Sequence, residues 1–432
     1  MAPTGTRVGF AGLGAMGFGM ASNLLNNDVA TVAFDLNPSV LERFIAIGGS
    51  VSKTVAEASK GQQVFLVMVA TPGQVDNLVI ADECRPVSIE HTSSQIHMRS
   101  SEQIMIGGER HVFDEVKPIL QAMSAPDRLF YCGALGSGST LKMLNQLLAG
   151  VHIVVAAEVL SFAAKSLGLS TRETHRIVMN SVSSSWIFGD RGKLMLDADW
   201  TPRSAGIVTS SAKEAGFRCP IASAALKAFQ DRLACGHGHD DDSSVVCNYE
   251  QITGNPVREH ETPVSPPKSP DRAHTGVTPS KLAGMSVIPG YNDDPPAFAI
   301  DVSRDLKFIF SAEDNDLQQA VASVMPRGLT AVPVNGPVGS ASAMHLCIRL
   351  GSVIHLAAAA ECYGLARTQR RSMESVYQLI AGAAGLSHQF NVSFQEMARR
   401  DFKPKSESGF DTLQKALADL TGILLRDNEM FN

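Results

Sequence analysis

Short apolar runs alternate with segments of helical periodicity over residues 7–80 of this chain. The runs have the length of strands, and the segments between them place apolar residues three and four positions apart, as on one face of a helix. Strands that alternate with helices are typical of the α/β class with a doubly wound parallel sheet. In chain order the predicted elements are strand Val8–Ala11, helix Met16–Leu25, strand Thr31–Phe34, helix Pro38–Ile47, strand Val64–Val69 and helix Gly73–Val79.

The pattern becomes helical and long from Gly136 onward, which predicts an all-helical domain after the sheet. Its most apolar part, Leu147–Ala164, is 18 residues long, close to the length of a membrane-spanning helix. His152 and Glu158 lie inside this run, and both side chains are costly at the centre of a bilayer. We therefore interpret the run as the buried central helix of a helical domain, and we expect no membrane partner.

The first predicted strand runs directly into the glycine pattern G-x-G-x-x-G, formed by Gly12, Gly14 and Gly17. This order of strand, glycines and helix is the fingerprint of a dinucleotide-binding Rossmann fold. The first glycine permits a tight turn, the second lets the backbone approach a pyrophosphate, and the third lets helix and strand pack closely. The amino end of the helix then offers N–H groups and a positive dipole to the phosphates.

An acidic residue ends the second predicted strand. Asp35 lies 18 residues after Gly17, where a carboxylate accepts a hydrogen bond from a ribose 2′-hydroxyl and repels a 2′-phosphate. This position predicts NAD as the cofactor in preference to NADP. Val69 and Ala70 end a later strand at the carboxyl edge of the sheet, where ligands of such folds bind. The alternative is a glycine turn in an ordinary α/β unit with a surface aspartate.

Composition changes sharply in the middle of the chain. Residues 254–298 hold many prolines among serine, threonine, lysine and acidic residues, which is typical of a disordered linker. The sequence therefore predicts a shortened Rossmann domain (1–132), a helical domain (133–253), this linker, and a further, mostly helical segment (299–432).

The last segment is a degenerate partial copy of the helical domain. An offset of 203 residues aligns the two copies without a gap through the long apolar helix, and an offset of 202 continues the alignment. Nothing after residue 254 resembles the glycine fingerprint. The long apolar helices favour a homo-oligomer, and the alternative is that the second copy imitates such a partner within one chain. The aligned pairs are Gln103–Glu109 with Leu306–Ala312, Gly136–Ser139 with Gly339–Ser342, His152 with His355, Ala156–Glu158 with Ala359–Glu361, Ser185–Phe188 with Ser387–Phe390, and Asp199–Ser204 with Asp401–Ser406.

Bulk composition narrows the class of protein. The net charge of −6 and the isoelectric point near 6.1 provide no basic face for nucleic acid. The seven cysteines are odd in number and form no C-x-x-C motif, so we expect neither a disulfide framework nor a zinc site, and a reducing compartment fits. The first strand begins near Arg7, which leaves no room for a signal or transit peptide, so we expect a cytoplasmic location.

A nicotinamide cofactor oxidises an alcohol when a base beside it takes the hydroxyl proton. The best candidate for this base is Lys142, about one turn into the long helix that follows the sheet domain. Asn145 and Gln146 follow at positions i+3 and i+4, so both share its face, and their amides can hold a hydroxyl or a carboxylate. We therefore predict these three residues as the catalytic group. The alternative is a surface lysine on an amphipathic helix.

The motifs together resemble the β-hydroxyacid dehydrogenase family, which includes relatives of 3-hydroxyisobutyrate dehydrogenase and 6-phosphogluconate dehydrogenase. The resemblance covers residues 7–250 and, in degenerate form, 299–432. It rests on Gly12–Gly17, Asp35–Pro38, Gly136–Ser139 and Lys142.

Within that family the chain most resembles the L-threonate dehydrogenase branch, to which Gln146, at a position where most members have Asn, is similar. The resemblance implies NAD-dependent oxidation of a secondary alcohol in a small β-hydroxy acid, with Lys142 as general acid/base. It also implies that Thr92 belongs to a Ser-Thr pair near the nicotinamide. The predicted cofactor-binding residues are Gly12, Leu13, Gly14, Ala15, Met16, Gly17, Asp35, Asn37, Val69, Ala70 and Thr92. Further segments similar to the branch are Leu147–His152, Ala156–Glu158, Ser185–Phe188 and Asp241–Ser244.

The histidines and aspartates of His237–Asp242 also have the residue types of metal ligands. In the family this stretch is a turn into the last helix, with an acid or a serine as its N-cap. We therefore predict no metal site there.

Two segments of the family pattern are missing. A loop that binds the substrate carboxylate belongs between Ser93 and Gln103, where nine residues are too few for a parallel strand and its crossover helix. The first copy is also 14 residues shorter than the second just after Ser204, where the family has a Lys-Asp-Leu segment that reaches the cofactor. The alternatives to an active enzyme are a non-catalytic NAD(H)-binding pseudoenzyme or scaffold, and a gene model that lacks coding segments.

The second copy has lost the predicted catalytic group. Its residues at the three corresponding positions are His345, Ile348 and Arg349. An isoleucine side chain cannot form a hydrogen bond to a substrate. We therefore predict that the second copy is non-catalytic.

Overall fold

The computed structural model describes ten stretches of the chain. They are residues 5–14, 17–69, 88–92, 103–124, 129–201, 219–258, 286–289, 306–312, 330–335 and 339–399. The chain divides into two compact units, Met1–Met143 and Leu144–Asn432. The second unit contains most of both predicted helical segments, and the domain boundaries at residues 132, 253 and 298 stay predictions.

The first unit begins with alternating strands and helices. They are β1 Arg7–Ala11, α1 Gly17–Asn26, β2 Ala30–Phe34, α2 Pro38–Ala46, β3 Ser50–Val51, α3 Val55–Ser59 and β4 Val64–Val67. The four strands form a parallel sheet in the order β3-β2-β1-β4. The alternating apolar residues of β1, Val8 and Phe10, are fully buried in the core together with Met20 and Leu24 of α1. The carboxyl ends of β1 and β4 flank the point where the strand order reverses, which is where ligands of such sheets bind.

The predicted elements of this region agree with the structure to within two residues at each end, where the structure describes them. The predicted helix Gly73–Val79 lies outside the described residues. The short elements β3 and α3 were not predicted, because two and five residues are too few to show a period. A signal was nevertheless present, since Thr54 and Glu57 form the T-x-x-E capping box, and the Thr54 side chain accepts the N–H of Glu57 at 3.1 Å.

A separate three-stranded sheet completes the first unit. Its elements are β5 Ser88–Thr92, β6 Gln103–Gly107, α4 Arg110–Met123 and β7 Leu129–Gly133. Strand β5 runs antiparallel to β6, and β6 runs parallel to β7. This departs from a wholly parallel sheet, because the connection over residues 93–102 is too short for a parallel crossover. The antiparallel pairing agrees with the prediction that a strand-and-helix unit of the family is missing here.

The first helical segment is organised around one long helix. Its elements are α5 Ser137–Lys165, α6 Thr171–Met179, α7 Trp186–Asp197, α8 Pro220–Ala234, a 3-10 turn Asp242–Val245 and α9 Val246–Thr253. Most residues of α5 from Leu144 onward are buried, including His152, which is fully enclosed. The apolar run that the sequence shows is therefore the core of this segment.

The second helical segment follows a similar series of elements. They are β8 Ser286–Pro289, β9 Leu306–Ala312, β10 Thr330–Asn335, α10 Ser340–Thr368, α11 Met373–Ile380 and α12 His388–Arg399. Strand β8 is antiparallel to β9 and β9 is parallel to β10, as in the sheet of β5, β6 and β7. Strand β8 lies inside the predicted linker, so the prediction of a disordered tether is wrong for Ser286–Pro289. Local composition could not show this strand, because its pairing partner β9 lies beyond the end of the proline-rich stretch.

By length and composition alone, two of the described helices, α5 and α10, could cross a membrane. The most apolar window of α5 is 83% buried inside the structure, and that of α10 is 39% buried. The extensive burial of the α5 window is typical of a core helix in a protein interior.

The long helices of the two copies correspond closely. Helices α5 and α10 each have 29 residues, and their first residues are 203 positions apart. The next two helices of each copy start from serine N-caps that are 202 positions apart. Ser185 and Ser387, the caps of α7 and α12, each accept the backbone N–H three residues later.

Equivalent residues of the two copies contact each other directly. The N–H of Trp186 donates to the carbonyl of Leu386 at 3.0 Å, and the N–H of His388 donates to the carbonyl of Ser184 at 2.9 Å. These two hydrogen bonds are reciprocal, because each residue is the counterpart of one in the other bond. The rings of His152 and His355, also counterparts, pack edge to face with centroids 4.4 Å apart. These contacts between the two predicted copies are reciprocal, which is the pattern that an isologous two-fold interface shows.

Candidate functional site

Two glycines of the turn after β1 are packed tightly against backbone carbonyl oxygens. Gly12 has φ of +97°, and a Cβ built on it would stand 2.1 Å from the carbonyl oxygen of Met68. A Cβ on Gly17 would stand 1.9 Å from the carbonyl oxygen of Gly12. Only glycine fits either position, because backbone atoms cannot yield by such distances. The turn thereby brings the start of α1 against the carboxyl ends of β1 and β4.

The middle glycine of the fingerprint, Gly14, has open space beside it. Gly14 is exposed, and a Cβ built on it would meet nothing within 4 Å. This bare backbone is the surface that a pyrophosphate approaches in a dinucleotide-binding turn. Ala15 and Met16 lie outside the described residues. Leu13 is buried at 1% exposure, so its side chain belongs to the core.

Asp35 is fixed at the carboxyl end of β2 by two backbone donors. The N–H of Leu13 donates to its Oδ2 at 2.6 Å, and the N–H of Asn37 donates to its Oδ1 at 2.8 Å. An ionised carboxylate has about four acceptor sites, so each oxygen can still accept a further donor such as a ribose hydroxyl. The bond to Leu13 ties the acid to the glycine turn, so that the two halves of the fingerprint form one rigid group.

Asn37 acts as the N-cap of α2. Its Oδ1 accepts the N–H of Ser39 at 3.1 Å and the Ser39 hydroxyl at 2.9 Å. Val69 is half-buried just beyond β4, and the preceding Met68 donates its N–H to the carbonyl of Ala11 at 2.8 Å. Ala70 lies outside the described residues, and Thr92 is described only as the last backbone position of β5. The cofactor contacts of these residues stay predictions.

The described part of this site fits the adenosine and pyrophosphate half of a dinucleotide. Gly14 leaves room for close approach to the backbone, and the Asp35 carboxylate lies at the next strand end of the same sheet. No described side chain fills the space in front of Gly14 within contact distance of its Cβ position.

The predicted catalytic group lies near the start of α5. Lys142 and Gln146 are half-buried, one turn apart. Asn145 is 3% exposed, and its Oδ1 accepts the backbone N–H of Gly385, in the second copy, at 2.8 Å. Sequence reasoning missed Gly385, because no local pattern relates residues 240 positions apart. The catalytic roles of the three residues stay predictions.

The corresponding face of the second copy is chemically different. Ile348 replaces Asn145 and is buried at 2% exposure. Burial lowers the pKa of His345, and the nearby positive charge of Arg349 lowers it further. This side of the second copy therefore carries no amide in the position of Asn145.

Aspartates of the segment His237–Asp242, whose residue types also suit a metal ion, form an ionic network with two buried arginines. Arg191 donates through Nε to Asp242 at 2.5 Å, and Arg232 pairs with Asp240 at 3.1 Å. Asp241 is the N-cap of the 3-10 turn and accepts the N–H of Ser243 at 3.1 Å. These acids are engaged in holding α7 and α8 to the turn. Among the described residues, no group of three or more His, Cys, Asp or Glu side chains is arranged to hold a metal ion.

Two glutamates, the buried Glu361 and the half-buried Glu158, anchor neighbouring elements, which the sequence did not predict. Glu361 of α10 accepts the N–H groups of Ile221 and Ala222, at 2.6 and 3.1 Å, and so caps the first turn of α8. Glu158 of α5 accepts the hydroxyl of Tyr249 at 3.0 Å. Burial raises the pKa of both carboxyls. The available signal was the shared Ala-Ala-Glu triplet of the repeat.

Comparison with known proteins gives the family of each part. Residues 7–103 match the model of the NAD binding domain of 6-phosphogluconate dehydrogenase. Residues 136–249 match the model described as NAD-binding of NADP-dependent 3-hydroxyisobutyrate dehydrogenase.

Individual relatives agree with these matches. The L-threonate dehydrogenase of Cupriavidus necator is 30% identical over 286 residues, which cover 55% of this chain and 94% of the relative. That of Pectobacterium atrosepticum is 28% identical over 291 residues, covering 57% and 95%. The solved 6-phosphogluconate dehydrogenase of Plasmodium falciparum is 13% identical and covers 98% of this chain and 88% of its own, with a TM-score of 0.54. The last likeness concerns the fold alone.

The sheet, the glycine turn and the anchored acid define a dinucleotide-binding domain followed by a helical region. Together with the matches to both parts, they show that the chain belongs to the β-hydroxyacid dehydrogenase family of NAD(P)-dependent oxidoreductases.

The alignment also shows how much of the family pattern is missing. It runs over 291 residues with the Pectobacterium protein but takes up 57% of this 432-residue chain, which is about 246 residues. About 45 positions of the relative therefore have no counterpart here. This shortfall is consistent with the two shortened segments near residues 93–103 and 204–206.

Proposed function

We propose that this protein oxidises the secondary alcohol of a small β-hydroxy acid, with NAD as the acceptor and Lys142 as the general base. The observation that carries the proposal is the described part of the glycine turn with Asp35 hydrogen-bonded to it, in a chain that retains Lys142 near the start of α5. The family membership and the L-threonate dehydrogenase relatives support a hydroxy acid as the substrate class.

Each residue has a distinct task in this proposal. NAD, when bound, supplies the acceptor for the hydride of the alcohol. Lys142 takes the hydroxyl proton, and the amides of Gln146 and Asn145 hold the substrate by donating hydrogen bonds. The Asp35 carboxylate favours NAD, because it repels the 2′-phosphate of NADP.

The test is turnover with a panel of hydroxy acids that includes L-threonate and 3-hydroxyisobutyrate, followed as NADH absorbance. The variant Lys142→Met is expected to lower kcat at least a hundredfold, the lower end of what a positioned base contributes. His345→Met, at the corresponding position of the second copy, is the matched control and is expected to leave kcat unchanged. Turnover that persists in Lys142→Met rejects the assigned base.

A second candidate is an NAD(H)-binding protein without turnover. It is favoured by the antiparallel β5, which stands where the family has a further parallel strand and a loop for the substrate carboxylate. An NADH fluorescence titration on the same preparation separates the candidates. Saturable binding with no turnover on any hydroxy acid supports the second, turnover supports the first, and absence of binding rejects both.

The missing segments have a genetic explanation that is also testable. Sequencing the transcript across codons 80–105 and 203–208 shows whether coding segments are absent from this sequence. A longer transcript would assign the shortfall to the gene model, and a matching one would assign it to the protein.

The proposal also includes the cellular location and the oligomeric state of this protein. The described cysteines are all free thiols, which supports a reducing, cytoplasmic location. The reciprocal contacts of the two copies support the alternative in which the second copy takes the place of a partner subunit within one chain. Sedimentation of the purified chain tests this directly, with a monomer as the expected result.

A further inference from the structure

The contact between Asn145 and Gly385 joins the predicted catalytic face to the second copy. Gly385 lies in the turn between α11 and α12, and its N–H donates to Oδ1 of Asn145 at 2.8 Å. Gly385 packs closely against α5. A Cβ on Gly385 would stand 2.9 Å from that Oδ1, 3.0 Å from the Asn145 carbonyl oxygen and 3.0 Å from Cβ of Leu148.

This hydrogen bond determines which way the Asn145 amide faces. A backbone N–H can only donate, so the amide must turn its oxygen toward Gly385. The –NH2 group of Asn145 does not take part in this hydrogen bond and is left to donate elsewhere. A side chain that could otherwise present either an acceptor or a donor is restricted to presenting two N–H donors, which suit a carboxylate or hydroxyl oxygen.

The corresponding contact on the other side of the pseudo-two-fold relation has lost this bond. There the counterparts are Ile348 and Ser183, and an isoleucine side chain cannot accept a hydrogen bond. The Ser183 N–H donates to the Ser181 hydroxyl instead, at 3.2 Å, and the buried Ser183 Oγ has no partner among the described residues. The amide contact is thus kept only in the copy that keeps Lys142.

The glycine stands on opposite sides of the two counterpart contacts. It lies in the turn at one contact and in the long helix at the other. Gly385 opposes Leu148 in one, whereas Ser183 opposes Gly351, the counterpart of Leu148, in the other. A Cβ on Gly351 would stand 2.1 Å from Ser183 Oγ. Each contact therefore places a glycine against a larger side chain, but only one of them carries a hydrogen bond to an amide side chain of the long helix.

We propose that the second copy serves the reaction of the first, with Gly385 as a positioning residue whose backbone N–H orients the Asn145 amide to donate to an oxygen of the hydroxy-acid substrate. This inference rests on the proposed function, in which Asn145 binds the substrate beside Lys142. It assigns the degenerate copy a role in substrate binding without any chemistry of its own.

The main test compares Gly385→Ala with Gly351→Ala. Both add one methyl group at counterpart contacts, but only Gly385→Ala displaces the Asn145 side chain. Gly385→Ala is expected to raise KM for the hydroxy acid about tenfold, the scale of one hydrogen bond, with kcat changed less and the NADH affinity unchanged. Gly351→Ala is expected to keep the wild-type KM. Equal KM values in the two variants overturn the proposal.

A second measurement separates orientation from folding and from the proposed function itself. Hydrogen exchange of the peptide around Gly385 is compared in Asn145→Ala, which removes the acceptor, and Asn145→Asp, which retains an acceptor oxygen but has no –NH2 group. We expect faster exchange in Asn145→Ala only, and a raised KM in both variants. Thermal unfolding of each variant shows whether it is folded.

The outcomes are distinguishable. Wild-type protein that oxidises none of the hydroxy acids rejects the proposed function, and the exchange data then decide the orientation of Asn145 alone. Exchange that is the same in Asn145→Ala and in wild-type protein overturns the positioning role, whatever the kinetics. A KM that rises in Asn145→Ala but stays at the wild-type value in Asn145→Asp also overturns it, because the –NH2 group would then be dispensable.

Discussion

Acidification should weaken the contact between the two helical copies through a buried histidine pair. His152 and His355 are both fully buried, and their four ring nitrogens have no hydrogen-bond partner among the described residues. Burial lowers the pKa of His355 to about 3, with a further lowering by His388, and burial also lowers that of His152, where His355 adds to the effect. Both rings are therefore neutral in the folded protein near pH 7.

The sign of the effect follows from proton uptake. A histidine in the unfolded chain titrates near pH 6.5, so below that pH the unfolded state binds protons that the folded state excludes. The contribution of the buried histidines to the free energy of unfolding is therefore constant above pH 6.5. It falls as the pH drops from 6.5 toward 3. His355 contributes about 1.36 kcal/mol per pH unit over that window. At pH 5 the loss from His355 alone is about 2 kcal/mol, and His152 adds to it in the same direction.

The assay is urea unfolding of wild-type protein and of His355→Leu at pH 7.5, 6 and 5. Leucine has nearly the volume of histidine, so the substitution tests charge more than packing. The free energy of unfolding of wild-type protein should fall by about 2 kcal/mol more than that of the variant between pH 7.5 and 5. The comparison cancels opposing contributions from Glu158 and Glu361, whose raised pKa values favour the folded state as the pH falls.

A control variant is available at an exposed histidine. His239 is exposed in the turn after α8, and His239→Gln removes a histidine that is not buried, so it should keep the difference between wild-type protein and His355→Leu. Parallel curves for wild-type protein and His355→Leu would refute the reasoning, because they would mean that the folded protein accepts the proton without cost.

Three further predictions concern single residues. Gly17→Ala should destabilise the first unit by about 1–3 kcal/mol, since its Cβ would collide with the Gly12 carbonyl, whereas Gly14→Ala should leave urea unfolding unchanged and weaken NADH binding; equal unfolding of the two would contradict the described turn. Asp35→Ala should lower the preference for NAD over NADP about tenfold in paired titrations, the scale of one lost hydrogen bond, and an unchanged ratio would remove the basis for assigning NAD. Glu361→Gln should cost about 1 kcal/mol in urea unfolding at pH 7.5, because one amide oxygen replaces two carboxylate oxygens at the start of α8; wild-type stability would show that this cap is dispensable.

Much of the fold of the first unit could be predicted from the sequence, because the patterns that indicate its strands, helices and turn are local. Strand and helix periods predicted β1, α1, β2, α2 and β4 to within two residues. The glycine fingerprint predicted the turn, since the need for glycine at Gly12 and Gly17 arises from backbone atoms a few positions away or at the next strand end. The shortness of the connection after β5 also excluded a parallel crossover, and the strand is antiparallel.

Only part of the candidate catalytic site could be predicted from the sequence. Helical spacing placed Lys142, Asn145 and Gln146 on one face of α5, because that relation depends on the helix alone. It could not show that Asn145 is enclosed by a backbone N–H from the second copy. Nor could composition show that β8 pairs within the predicted linker, because its partner strand lies outside the local window.

Sequence by itself thus determined the dinucleotide turn, its acid, the long apolar helix and the 203-residue offset between the copies, all of which depend on short-range sterics, periodicity or direct comparison of residues. Only the tertiary structure decided that His152 meets His355 and that Gly385 meets Asn145. The physical reason is that a hydrogen bond or a ring contact needs atoms within a few ångströms. For residues some 200 positions apart, that proximity is set by the path of the whole chain.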